Sequence, residues 1–254
     1  MTIANILEHL QSIVPLALAQ EWDNVGLLIG EPQRQVNGIL ISLDASANAV
    51  DYALQHGYDL ILSHHPLIFR PLQSITNPVI LKMIETRIAL ISMHTNFDAA
   101  WGGVNHALAE ALDLEVLQSL GDEAAGDIGL LCKYDTPQSL SGIALDVKAK
   151  LQVPAVKLWT AAQSMQKRIT RIAICGGAGA SVLPQAQAQA ELLITGDISY
   201  HSFLDSAIPI LDAGHFYTEY PALKNLQKML QYTGIKNEIL PRTWHEWTQA
   251  MHYL

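Results

Sequence analysis

Apolar residues recur at Ile3, Ile6, Leu7, Leu10, Ile13 and Val14, a spacing of three and four that predicts a helix over 3–14. Short unbroken apolar runs then take over. Gly38-Ile39-Leu40-Ile41-Ser42-Leu43 ends at Asp44, residues 59–63 end at Ser63-His64-His65-Pro66, and Ile88-Ala89-Leu90-Ile91-Ser92 ends at Met93-His94. Helical spacing at 46–56, 77–86 and 103–112 lies between and after these strands. Strands alternating with helices predict a largely parallel sheet with helices on its faces.

The pattern changes near 121–127, where Gly121, Asp122, Glu123, Gly126 and Asp127 make a polar connector. Beyond it a smaller α/β segment is expected: a strand near 128–134, a helix near 139–150, strands near 155–159 and 170–175, a helix over 181–190 and the strand 191–195. The strand Pro209-Ile210-Leu211-Asp212 leads through Gly214-His215 to a helix predicted over 219–232. The fold class expected is α/β, with two interlinked α/β domains and mixed, largely parallel sheets. Residues 1–127 form the first domain, completed by 208–254, and 128–207 form the second.

At 254 residues, 50% hydrophobic and 15% charged, the chain can bury a substantial core and is not of the disordered class. The net charge of −9 comes without any block of Lys or Arg, so the basic stripe of a nucleic-acid binder is missing. An anionic small molecule would need metals or local cations, such as Arg70, Lys82 or Arg242, to offset that background. No apolar run approaches the ~18 residues of a membrane span. No Lys or Arg precedes Arg34, which is wrong for a targeting peptide. Cys132 and Cys175 stand alone, as expected of thiols in a reducing compartment. A cytoplasmic location is expected.

The candidate chemistry lies where strands stop. Adjacent residues within a strand point to opposite faces, so His64 and His65 can serve one centre only at a strand end, where Pro66 turns the chain. His94 and Asp98 are four residues apart, as are His215 and Glu219, and Asp197 and His201. Ligands of open α/β sheets bind outside the carboxyl ends of the strands, where all these residues fall. His64, His65, Asp98, His215 and Glu219 together offer three imidazoles and two carboxylates, a donor set for two divalent cations about 3.5–4 Å apart. Nitrogen and oxygen donors without sulfur suit Zn, Mn, Fe, Co or Ni. Each residue also has a plainer reading: Asp98 as a helix N-cap, Glu219 as a first-turn acid answering the helix dipole, His64-His65 as a solvated corner. Gly176-Gly177-Ala178-Gly179 reads as a tight strand-to-helix turn more readily than as a phosphate cradle, because Val182 stands where a dinucleotide fingerprint needs its third glycine. Trp22-Asp23-Asn24-Val25-Gly26 reads as a turn closed by an aromatic anchor. The serine-hydrolase elbow GxSxG and the P-loop are both absent from the sequence.

The ordered set Trp22-Asp23-Asn24-Val25-Gly26, Ser63-His64-His65-Pro66-Leu67-Ile68-Phe69, His94-Thr95-Asn96-Phe97-Asp98, Gly176-Gly177-Ala178-Gly179, Thr195-Gly196-Asp197 with His201, and Gly214-His215 with Glu219 resembles the NIF-three-like family, known as GTP cyclohydrolase I type 2 homologs. The likeness spans nearly the whole chain, in the short bacterial form. It implies a dinuclear metal centre in a toroidal homohexamer, with His64, His65, Asp98, His215 and Glu219 as ligands and His94 beside them or as a further ligand. The function expected is a metal-dependent hydrolase acting through a metal-bound hydroxide, with His94 or His201 as catalytic proton carriers. A small molecule is the expected substrate, with a nucleotide such as GTP as one candidate, whose imidazole ring would be opened with release of formate. The alternative is a metal-binding or trafficking protein, or an interaction scaffold, without turnover.

Overall fold

The computed structural model describes residues 1–120 and 129–253; the polar connector read at 121–127 lies outside the described residues. The strands are β1 (Gly26–Ile29), β2 (Gly38–Ser42), β3 (Leu60–Ser63), β4 (Ala89–Ser92), β5 (Glu115–Ser119), β6 (Leu130–Ser139), β7 (Lys157–Trp159), β8 (Arg168–Ala178), β9 (Leu192–Gly196), β10 (Ile210–Asp212) and β11 (Lys236–Ile239). The chain divides into two compact units, Met1–Ala100 with Leu223–His252, and Trp101–Ala222.

The first unit holds a sheet in the order β1-β4-β3-β2-β11, parallel except for β1 against β4. Every residue of β2, β3 and β4 is buried, so these strands have no solvent face and read as continuous apolar runs rather than alternating ones. Helices Ala47–His56 and Pro78–Thr86 supply Ala49, Val50, Ala53 and Met83 to a core shared with Leu40, Ile61 and Leu90. Caps at Ser46 and Asn77 start these helices, each side chain accepting from backbone N–H groups of the first turn.

The second unit holds a mixed sheet in the order β5-β6-β8-β9-β10-β7, with β8-β9 and β9-β10 parallel and the other pairs antiparallel. The observed divisions lie at 100/101 and 222/223, whereas the sequence pattern places them at 127/128 and 207/208. Strand pairing explains the difference. β5 joins β6 and β10 joins β9, so both strands go with the second sheet, although their neighbours in sequence suggest the first. Among the described residues no helix is long and apolar enough to cross a membrane.

The helix expected over 219–232 is broken into short pieces. A helix spans His215–Glu219, a 3-10 turn Tyr220–Ala222, and a second helix Leu223–Met229. Glu219 therefore closes a helix rather than opening one, and its first-turn dipole reading does not hold.

His245, 2% exposed, lies in the first unit after the turn Arg242–Trp244. Burial, only partly offset by the charge of Asp44, pushes its pKa down to about 4. The unfolded chain titrates at the ordinary value of about 6.5 and so takes up this proton first as pH falls. Stability from this group is complete above about pH 6.5 and is lost progressively down to about pH 4, by about 3 kcal/mol. Urea unfolding midpoints measured from pH 7.5 to 4.5 are expected to fall across that window. His245→Gln is expected to flatten the dependence.

Candidate metal centre

In the first unit, backbone pairing continues past the end of β3: His64 N–H donates to Ser42 O (3.1 Å) and His65 N–H to Leu43 O (2.8 Å). Ser42, Ser63 and Ser92 stand in register at the ends of β2, β3 and β4, all fully buried. Ser42 Oγ donates to Asp44 O (2.9 Å), Ser63 Oγ donates to His65 O (2.8 Å), and the Ser63 and Ser92 hydroxyls lie 2.8 Å apart. This hydroxyl row fixes the corners that carry the candidate donors. Ser63→Ala is expected to lower stability by about 1–2 kcal/mol in urea unfolding, because His65 O loses its 2.8 Å donor and the buried Ser92 hydroxyl loses its Ser63 partner.

The rings of His64, His65 and His94 converge, with centroids 4.9, 5.3 and 5.6 Å apart. One nitrogen from each lies within 4.8 Å of the others, close enough to hold a metal ion. Every Nδ1 is committed elsewhere. His64 Nδ1 lies 2.8 Å from Met93 O, His65 Nδ1 2.8 Å from Asp44 Oδ1, and His94 Nδ1 2.9 Å from Asp23 Oδ1. A carbonyl or carboxylate oxygen can only accept, so each Nδ1 carries the proton and each ring presents the Nε2 lone pair. Hydrogen-bonded carboxylates and carbonyls orient metal-binding histidines in this way.

Asp98 lies inside the short helix Thr95–Ala99, not at its N-cap, a place taken by His94. The helix turns its carboxylate to within 3.5 Å of His64 Nε2. Asp23, read from the sequence as part of a turn, instead anchors the site. Its side chain is fully buried; Oδ1 accepts from His94, and Oδ2 accepts from Thr95 N–H (3.0 Å) and Thr95 Oγ–H (2.5 Å). Burial alone would raise its pKa, but these hydrogen bonds outweigh it and hold the carboxyl well below the usual range. Trp22 is no anchor, since 62% of it is exposed.

In the second unit, Gly214 at φ +82° turns the chain so that His215 opens the helix that Glu219 closes. Four residues of helix place both on one face, with His215 Nε2 3.0 Å from Glu219 Oε1. Asp197 Oδ2 lies 2.8 Å from His215 Nδ1, so this imidazole stands between two carboxylates with Nε2 directed at Glu219. Asp197 takes the left-handed backbone (φ +51°), which is unfavourable for a residue with a Cβ and gives the contact a conformational cost. Asp212 accepts from Gly214 N–H (2.9 Å) and pairs with Lys157 (2.8 Å), fixing the turn before His215.

The glycine run has a different role from either reading of the sequence. β8 extends through it to Ala178, with an irregularity in its pairing between Ile174 and Ala178. Gly176 N–H donates to Asn105 Oδ1 (2.9 Å) and Gly177 N–H to Thr218 Oγ1 (3.0 Å), so these two amides do not cradle a phosphate. A Cβ on Gly177 would lie 2.2 Å from Glu219 Oε1 and 3.2 Å from His215 Nε2. The run is the space that the carboxylate occupies. His201 sits exposed on the helix Tyr200–Leu204 with its ring against Tyr200 (5.4 Å), and among the described residues it joins none of the donor groups.

A family model described as Duf34/NIF3 (NGG1p interacting factor 3) matches residues 1–241. The chain belongs to the DUF34/NIF3 family. A relative from Lactococcus lactis is 33% identical, with 85% of this chain and 86% of that protein covered; one from Clostridium perfringens is 32% identical over 88% of each. Both are named GTP cyclohydrolase 1 type 2 homolog. The crystal structure of a Staphylococcus aureus hypothetical protein covers 100% of this chain and 99% of its own, with a TM-score of 0.88 at 29% identity. A Bacillus cereus protein related to NIF3 shares the fold at a TM-score of 0.86 and 24% identity. Within this family fold, the chain carries His and Glu groups that could hold a metal ion.

Proposed function

We propose that this protein is a dinuclear metal-dependent hydrolase. The observation that supports this best is the common setting of His64, His65, His94 and His215, each held at Nδ1 by an acceptor and presenting Nε2. Rings held in this way, with Asp98 beside His64 and Glu219 beside His215, are donors for cations rather than a packing motif. In this reading His64, His65, Asp98, His215 and Glu219 would hold two ions, with His94 beside them or as a further ligand, and the nitrogen and oxygen donors suit Zn, Mn, Fe, Co or Ni. Bound cations would acidify a water and polarise the bond under attack. His94, its tautomer fixed by Asp23, would hold and move a proton at Nε2.

The names of the relatives make a purine nucleotide ring one substrate to test. We place the working protein in the cytoplasm as a toroidal homohexamer, the assembly that the family resemblance implies. Metal analysis of wild type beside His64→Ala and Glu219→Gln is expected to show bound metal in wild type and its loss in both variants. Unchanged stoichiometry would sink the ligand assignment. Incubation with GTP, other nucleotides and simple phosphoesters is expected to give turnover that a chelator abolishes. Exchangeable metal with no turnover across that panel would favour a trafficking role instead.

A further inference from the structure

Two aromatic side chains flank the first-unit histidines without being buried by anything. Trp22 is 62% exposed and Phe69 48% exposed. Both meet the ring of His94 edge to face, Trp22 at 6.1 Å and 75°, Phe69 at 5.7 Å and 88°. His94 in turn lies 5.3 Å from His64 and 5.6 Å from His65, so each aromatic is one ring removed from the candidate donors.

Single exposed aromatics are ordinary on a protein surface. Trp101 and Tyr232 are more exposed still, at 82% and 89%, but Trp101 lies tilted against His106, which among the described residues belongs to no donor group. Trp22 and Phe69 differ because their backbones are fixed. The loop of Trp22 is held through the buried Asp23 carboxylate, and Asn24 Nδ2 donates to Ile68 O at 2.5 Å, tying it to the loop of Phe69. Two loops distant in sequence are thus joined so that two rings stand beside one imidazole. Holding hydrophobic rings in water has no benefit for the fold, whereas rings fixed next to polar donors are what a flat ligand requires.

We infer that Trp22 and Phe69 form a stacking platform for a planar heteroaromatic ring of the substrate, beside the His64-His65-His94 cluster. The inference rests on reading that cluster as the reactive centre, and it makes the substrate a ring compound rather than a simple phosphoester or sugar phosphate. Stacking is tolerant of ring identity, since every heteroaromatic base has a π-face, so the platform selects flatness and the donors beside it select the atom attacked.

The test is titration of metal-loaded protein with guanosine and adenine as planar probes and ribose 5-phosphate as the non-planar one, read by tryptophan emission. Saturable quenching is expected with the planar probes alone. Trp22→Leu is expected to abolish it, and Phe69→Leu to raise the half-saturation concentration about 10-fold, with Phe69→Tyr close to wild type. Metal content is expected to be equal in all four proteins. Quenching that survives unchanged in Trp22→Leu, or that ribose 5-phosphate matches, overturns the platform. So does a result in which the only change in the variants is oligomeric state, which would make the two rings a protein contact. Wild-type protein that takes up no metal but keeps the quench defeats the metal reading and leaves the platform standing. Bound metal without quench does the reverse.

Discussion

Replacing Gly177 with alanine is expected to destabilise the protein by about 2–4 kcal/mol and to remove its capacity to hold metal. About 1 kcal/mol of that comes from placing a Cβ at positive φ, and about 1–3 kcal/mol from overpacking. The residue sits at φ +64°, and its new methyl group would fall 2.2 Å from Glu219 Oε1, a buried carboxylate of a short helix packed on β8. The Glu219 carboxylate, or else β8 or that helix, must shift, and a displaced carboxylate leaves its place beside His215 Nε2. Gly234 is the control. It has nearly the same φ, +67°, with nothing within 4 Å of an added Cβ, so Gly234→Ala isolates the backbone term. Urea unfolding of the two variants gives the clash by difference. Gly177→Ala combined with Glu219→Ala is expected to recover most of the lost stability and none of the metal, because removing the carboxylate relieves the clash without restoring a ligand. A double variant no more stable than Gly177→Ala alone would show that the strain lies elsewhere.

The second large effect is expected from Asp23→Asn, which alters one atom type and almost no volume. The side-chain oxygen facing Thr95 receives a backbone N–H and a hydroxyl, and the hydroxyl itself accepts from Gln20 N–H (2.9 Å). Oδ1 for its part faces His94 Nδ1 and accepts from Asn24 N–H (2.8 Å), so an asparagine carbonyl that keeps the Thr95 pair turns its NH₂ toward both His94 and that N–H. Donation from that NH₂ to Nδ1 forces the His94 proton onto Nε2, the atom that in wild type carries the lone pair. Metal affinity is expected to fall by on the order of 10- to 100-fold, the usual effect of losing a carboxylate behind a metal-binding histidine. A stability loss of about 2 kcal/mol should accompany it, from weakening hydrogen bonds to a buried charge. Nitrogen-15 NMR of the histidine rings reports the tautomer directly. A His94 still protonated at Nδ1 in Asp23→Asn would remove the explanation whatever the metal content.

Much of the candidate site is legible along the chain because its candidate donors sit at the ends of apolar runs. His64-His65 after Leu60-Ile61-Leu62, and His94 after Ala89-Leu90-Ile91, are visible in the sequence alone, since a buried strand that stops in imidazoles has few reasons to do so. The four-residue spacing of His215 and Glu219 is also visible, although the helix that realises it is only five residues long and begins at His215 itself. The carboxylates behind the rings are not visible in this way. Asp23 is 71 residues from His94, Asp44 is 21 from His65, and Asp197 is 18 from His215. A local pattern offers each of them a sufficient plain reading as a turn or strand-end acid. The same holds for Gly177, whose neighbour in sequence is a strand and whose neighbour in space is Glu219.

The one-dimensional pattern by itself determined the α/β class and the strand ends that carry the candidate donors, because hydrophobic periodicity and strand termini are local properties of the chain. Tertiary structure alone decided which unit owns β5 and β10, which nitrogen each histidine presents, and why the glycines are where they are. Those are matters of pairing, hydrogen-bond acceptance and excluded volume between residues far apart in sequence, and no local spacing encodes them.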